Sequence, residues 1–110
     1  MATDWHPTER ESVVVHEASR LRPPTNQNPD ELRVMAWNVK YGAGRIDFWF
    51  DLWGDRVQMS EAEVQRNLRG IYELIEEVDP DILMTEEIEI NSRRSAYVNM
   101  VTGILENTSL

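Results

Sequence analysis

Apolar residues change their spacing along this chain, and each spacing predicts a different element. From Met1 to Glu31 the chain is mostly polar and is punctuated by Pro23, Pro24 and Pro29. Proline lacks an amide donor and restricts the residue before it, so residues 1–31 are expected to form a flexible N-terminal arm. Val13, Val14 and Val15 can form a short strand within it, and Asn26, Asn28 and Asp30 add turn chemistry. The folded domain is expected over 32–110. After Arg33, the stretch Leu32–Val39 is nearly continuously apolar, which suits a strand buried on both faces. Gly42 and Gly44 break it. Residues 45–59 place Phe48, Trp49, Phe50 and Trp53 among Asp47, Asp51 and Asp55. They match neither period and read as an ordered loop with a short turn of helix.

Residues 60–78 carry the clearest helical signal. Ser60 and Glu63 have the spacing of a capping box, in which each side chain satisfies an orphan backbone donor of the other. Val64, Leu68, Ile71, Leu74 or Ile75, and Val78 form one apolar stripe. Arg66, Asn67, Arg69, Glu73, Glu76 and Glu77 cover the other side. Pro80 stops the helix, because the residue before a proline avoids the right-handed helical region. A second strand is expected over 81–88, centred on Ile82, Leu83 and Met84. A turn follows at 91–94, and then a second helix over 95–107 with Tyr97, Val98, Val101, Ile104 and Leu105 on one face. The order strand, helix, strand, helix predicts an α/β fold whose two strands run parallel in one sheet. Their carboxyl ends then lie side by side, at the edge where open α/β sheets bind ligands.

Composition narrows the function classes. The 110 residues allow one small domain, and the 41% hydrophobic content fits a packed core. Twenty acidic against 11 basic residues give a net charge of -9. An acidic chain is a poor non-specific binder of nucleic acid or anionic membrane, and no nucleic-acid-binding patch stands out. Bound metal can still supply positive charge locally for a phosphate. The chain has no cysteine, which excludes disulfides, thiolate metal sites and a cysteine nucleophile. The first ten residues have no apolar stretch of the signal-peptide kind, and no run approaches the roughly 20 apolar residues of a membrane span. These features set cytoplasm as the expected location.

The chemistry gathers at the two strand ends. Asn38 closes the first strand and Glu87 the second, and the parallel topology brings them together. An amide beside a carboxylate suits half of a magnesium site, since magnesium takes oxygen ligands, keeps several waters and often uses one or two carboxylates. Met35-Ala36-Trp37-Asn38 resembles the first motif of the endonuclease/exonuclease/phosphatase superfamily, a strand ending in asparagine. Asp79-Pro80-Asp81-Ile82-Leu83-Met84-Thr85-Glu86-Glu87-Ile88 resembles the second, whose usual form ends in leucine-glutamine-glutamate-valine. The helix between them, with Arg66 and Asn67 near its start, is also similar, and the likeness spans about 32–105.

The resemblance implies an α+β fold, the N-terminal part of a four-layered α/β/β/α sandwich, incomplete here. It implies that Glu87 binds a divalent metal, Mg2+ or Mn2+. It gives Asn38 a place beside that metal, binding phosphate or orienting ligands. The implied activity is hydrolysis of a phosphate ester of open class, with a His-Asp pair activating water. Thr85 and Glu86 depart from the usual Leu and Gln. Strand alternation is expected to turn Glu86 to the opposite face from Glu87. The family's later Asp-x-Asn and Ser-Asp-His motifs are absent from these 110 residues, and His6 and His16 occupy no catalytic family position. The expectation is therefore a hydrolase fragment without a general base, inactive alone. The alternative is a non-catalytic acidic interaction module or inactive remnant, associating through an uncovered sheet edge.

Each of these residues also has a plainer reading. Glu87 can be a solvated strand-end carboxylate and Asn38 a turn former leading to Gly42. Phe48 to Trp53 read as a packed loop before they read as a substrate platform. Arg93 and Arg94 suit a solvated helix start before a phosphate contact. Glu86, Glu87 and Glu89 form an acidic run that alternation divides between two faces. His6 and His16 read as surface residues.

Overall fold

The computed structural model describes residues 9–10, 12–19, 23, 28, 30–52 and 54–110. Its elements are β1 (Val34–Asn38), α1 (Glu61–Val78), β2 (Ile82–Glu86) and α2 (Met100–Asn107), with short 3-10 turns at Lys40–Gly42 and Arg93–Ser95. The mixed α+β character and the strand–helix–strand–helix order agree with the sequence pattern. β1 and β2 pair in parallel, with Val34 opposite Ile82 and Asn38 opposite Glu86. Val13 to Val15 are exposed and form no strand, and His16 is exposed. His6, Asn26 and Trp53 lie outside the described residues. Among the described residues, no helix is long and apolar enough to cross a membrane.

The capping box forms as its spacing predicts. Ser60 Oγ accepts from the Glu63 amide at 3.3 Å, and Glu63 Oε2 accepts from the Ser60 amide at 2.8 Å. Of the apolar stripe, Val64, Leu68, Ile71 and Ile75 are buried, which decides for Ile75 over the exposed Leu74. At the other end Asp79 is left-handed (φ 50°, ψ 60°), and its amide donates to Ile75 O at 2.8 Å. Pro80 excludes right-handed helix at Asp79, and the chain takes this C-cap instead of the extended conformation. Arg33 then fastens the cap to the sheet. Its guanidinium donates to Val78 O and Asp79 O at 2.8 and 3.2 Å, and its amide donates to Asp81 Oδ2 at 2.7 Å.

Three expectations need correction. The strands are not buried on both faces. Met35, Trp37, Leu83 and Thr85 are half-buried, and Trp37 and Leu83 pack on the core. The other face leaves Val34, Ile82 and Met84 at 52%, 44% and 53% exposure, because nothing among the described residues covers it. The second helix begins at Met100 rather than near Ser95. Ala96 and Tyr97 take left-handed φ values of 53° and 61°, and Asn99 caps the helix by accepting from the Thr102 amide at 3.0 Å. Met100 and Ile104 are its buried residues, whereas Tyr97 is exposed. Third, Asn67 does not belong to the solvated side of α1, because its Nδ2 donates to Gly42 O at 2.8 Å.

The core consists of the α1 stripe, Met100 and Ile104 of α2, and Val39, Tyr41, Ala43, Phe48 and Met59 from the connecting loop. Phe48 is fully buried, which contributes about 1.5–3 kcal/mol. The loop is therefore part of the core and not an insertion beside it. Phe48 also forms an isolated bridge with Arg56. The helices approach closely at Gly103, where a Cβ would meet the Tyr72 hydroxyl at 2.2 Å.

Arg56 ties the loop to the capping box, with NH2 and NH1 donating to the Glu63 carboxylate at 2.7 and 3.1 Å. Arg56, then the Ser60 amide and hydroxyl, hold Glu63 down to a pKa of about 2. A depressed folded-state pKa stabilises the fold above the unfolded value, and the effect is lost as pH falls through the folded one. Glu63→Gln keeps the capping geometry and removes the charge. Its melting temperature should lie below the wild type at neutral pH, with the gap closing as pH falls from about 4.5 to about 2. Thermal melts across that range, showing a gap independent of pH, would refute this account.

Candidate functional site

The backbone ladder continues past both strand ends. The Val39 amide donates to Glu86 O at 3.0 Å, and the Tyr41 amide donates to Glu87 O at 2.9 Å. These bonds hold the segment after Asn38 against the segment after Glu86. Asn38 lies opposite Glu86 in register, and Glu86 is the last residue of β2. Glu87 leaves the strand in a left-handed conformation, φ 55°. That turn, not strand alternation, sets its direction, and it brings Glu87 into one open cleft of about 550 Å³ with Asn38.

The other walls of this cleft come from the loop and from the turn before α2. Lys40, Tyr41, Phe50 and Asp51 line one side and Arg94 the other. Lys40, Tyr41 and Gly42 are all left-handed, with φ of 44°, 44° and 72°. A non-glycine residue in this region costs on the order of 1 kcal/mol, so contacts must hold the segment. Asn38 Oδ1 accepts from the Lys40 amide at 2.9 Å, which gives Asn38 the turn role as well as a place in the cleft. Asn67 holds Gly42 from the helix side. At Gly42 a Cβ would also meet Met100 Cε at 2.9 Å. A second hollow, of about 630 Å³, lies on the α1 side of Asn38 and is lined in part by Arg45, Arg66 and Asn67.

The charges are arranged unevenly. Lys40 Nζ donates to Asp51 Oδ2 at 3.1 Å and to Ile46 O at 3.2 Å. Asp51 also accepts from the Phe48 amide at 2.6 Å, and this bond followed by Lys40 lowers its pKa. The hydrogen bond from Lys40 to Asp51 raises the Lys40 pKa in return. Arg94 lies 3.8 Å from the Tyr41 ring centroid and pairs with Glu89. Burial pushes Glu89 up, but hydrogen bonds from Arg94, Ser95 and Ser92 outweigh it and leave its carboxyl below the usual range. Both cations of the cleft thus have their own carboxylate. Among the described residues, no ion pair takes up Glu87.

Among the described residues, no three His, Cys, Asp or Glu side chains converge as a complete metal cage. The oxygen donors that line the cleft include the Glu87 carboxylate and Asn38 Oδ1, the latter already accepting from the Lys40 amide. Glu89 is removed from any acidic run by Arg94 and Ser95, whose hydroxyl donates to it at 2.6 Å. Sequence reasoning placed Arg94 at a solvated helix start and gave Lys40, Tyr41 and Asp51 no part. Arg94 instead packs on Tyr41 and pairs with Glu89. The break at Gly42 and Gly44 was the available signal for a constrained turn beside Asn38.

Asn67→Ala removes the side chain that anchors this turn and leaves the buried Gly42 carbonyl without that donor. The variant should lose about 1–3 kcal/mol of unfolding free energy in urea. A loss below about 0.3 kcal/mol would show that the turn does not depend on Asn67. Compared with known proteins, the chain matches no family model, no curated protein and no solved structure.

Proposed function

We propose that this chain supplies the metal-binding part of a divalent-metal-dependent phosphoester hydrolase. Glu87 is the carboxylate ligand of Mg2+ or Mn2+, and Asn38 orients the ligand beside it. The observation that carries the reading is a carboxylate in the cleft that no ion pair takes up among the described residues. In a cleft whose two cations are each neutralised by another residue, Glu87 lines the wall along with Asn38 and has no ion pair among the described residues. Glu87 would hold the ion, and a divalent metal there would supply polarisation of a phosphoryl oxygen. Asn38, fixed by its bond to the Lys40 amide, holds the ligand in register, and Phe50 provides an apolar wall. The resemblance of the segments ending at Asn38 and Glu87 to the superfamily's first two motifs supports the same assignment. So does the parallel pairing between them.

Excess Mg2+ should raise the melting temperature by several degrees, as expected for a ligand that binds only the folded chain. Glu87→Gln should abolish the rise, and Glu86→Gln should preserve it. A Glu87→Gln protein with an undiminished response would remove the metal from this cleft.

The exposed sheet face favours a second reading, a non-catalytic module that associates through it. Val34, Ile82 and Met84 form an apolar patch on a two-stranded sheet with open edges. On sizing chromatography the wild type should then elute larger than a monomer, and Met84→Lys should shift it to monomer. A wild type that is monomeric at every concentration tested would exclude association.

A further inference from the structure

Among the described residues, the Tyr41 hydroxyl has no hydrogen-bond partner, and it is closed off from solvent, as is Tyr41 as a whole at 3% exposure. Leaving a buried hydroxyl unpaired destabilises a fold, and phenylalanine would fill the same space without that cost. The ring alone explains the packing: it meets Phe48 and Phe50 edge-on at 5.1 and 6.2 Å and carries Arg94 on its face. Nothing in these contacts uses the oxygen. The residue is also held left-handed at φ 44°, by its amide bond to Glu87 O. A phenol hydroxyl can donate as well as accept a hydrogen bond.

Tyr41 lines the same cleft as Asn38 and Glu87. Resting on the reading of that cleft as a metal and phosphate-ester site, we infer that the Tyr41 hydroxyl is the donor to a phosphoryl oxygen of the bound ligand. The ligand reaches it by displacing Phe50, which is half-exposed, lines the cleft and stands against the Tyr41 ring. Lys40 and Arg94 are already paired with Asp51 and Glu89 and offer no free charge to an anion. A neutral hydroxyl can bond an anionic oxygen without adding a further charge to bury.

The test uses inorganic phosphate titrated into the full chain, alone and at fixed Mg2+, followed by 31P NMR, with melting temperatures measured alongside. Tyr41→Phe should weaken phosphate binding about tenfold and leave the melting temperature unchanged or raised. Equal affinity in the two proteins would overturn the inference, as would a wild type that binds no phosphate. A melting temperature lowered by several degrees would also overturn it, by showing that the hydroxyl has a structural role. The metal reading fails separately. A wild type stabilised by Mg2+ but indifferent to Tyr41→Phe keeps the metal and loses the tyrosine. Tyrosine-dependent phosphate binding without any Mg2+ response does the reverse.

Discussion

The arrangement rests on a short run of backbone hydrogen bonds. Two five-residue strands pair in parallel, and the ladder then continues through Val39 to Glu86 and Tyr41 to Glu87. Those last two bonds lie beyond regular strand geometry. Without them, the ends of β1 and β2 would diverge, and Asn38 and Glu87 would belong to separate loops. An isolated pair of strands is marginal in water. The ladder persists because Trp37 and Leu83 on its inner face pack on the core and because Arg33 locks the start of β2 to the end of α1. Register at the Val34 end therefore sets which residues meet at the Glu87 end.

The turn after Asn38 shows how strain is supported. Lys40, Tyr41 and Gly42 are consecutive left-handed residues, and only the last has no Cβ to oppose that conformation. Side chains from different parts of the sequence hold them. Asn38 takes the Lys40 amide, Asp51 takes its ammonium, and Asn67 donates to the Gly42 carbonyl. The aromatic cluster of Tyr41, Phe48 and Phe50 fills the space beneath. Strain supported from several directions is a feature of sites that present groups to ligands. Here the strained residues border the cleft that holds Glu87.

Much of this was legible in the sequence, and the misses share a cause. The capping box, the α1 stripe and the parallel pairing follow from local patterns with one strong solution each. That Asn38 and Glu87 line one cleft also follows from the strand ends and the parallel topology. The pattern could not show that the sheet has an open face, because Val34, Ile82 and Met84 are as apolar as residues of a covered strand. Nor could it place α2, whose apolar period runs back through Tyr97 and gives no sign of the left-handed turn at Ala96. Asn67 and Arg94 look like solvent-facing polar residues, and only their distant partners, Gly42 and Tyr41, give them other roles. Long-range side-chain contacts have no local period, so a scan for periodicity passes over them.

Glu87 is where these constraints converge on chemistry. A carboxylate at a strand end is commonly solvated, and its exposure alone argues for nothing. Its neighbours make the difference. Lys40 is held by Asp51 and Arg94 by Glu89, although Glu87 lines the same cleft as both cations. Of the charged residues that line the cleft, Glu87 is left without an ion pair among the described residues.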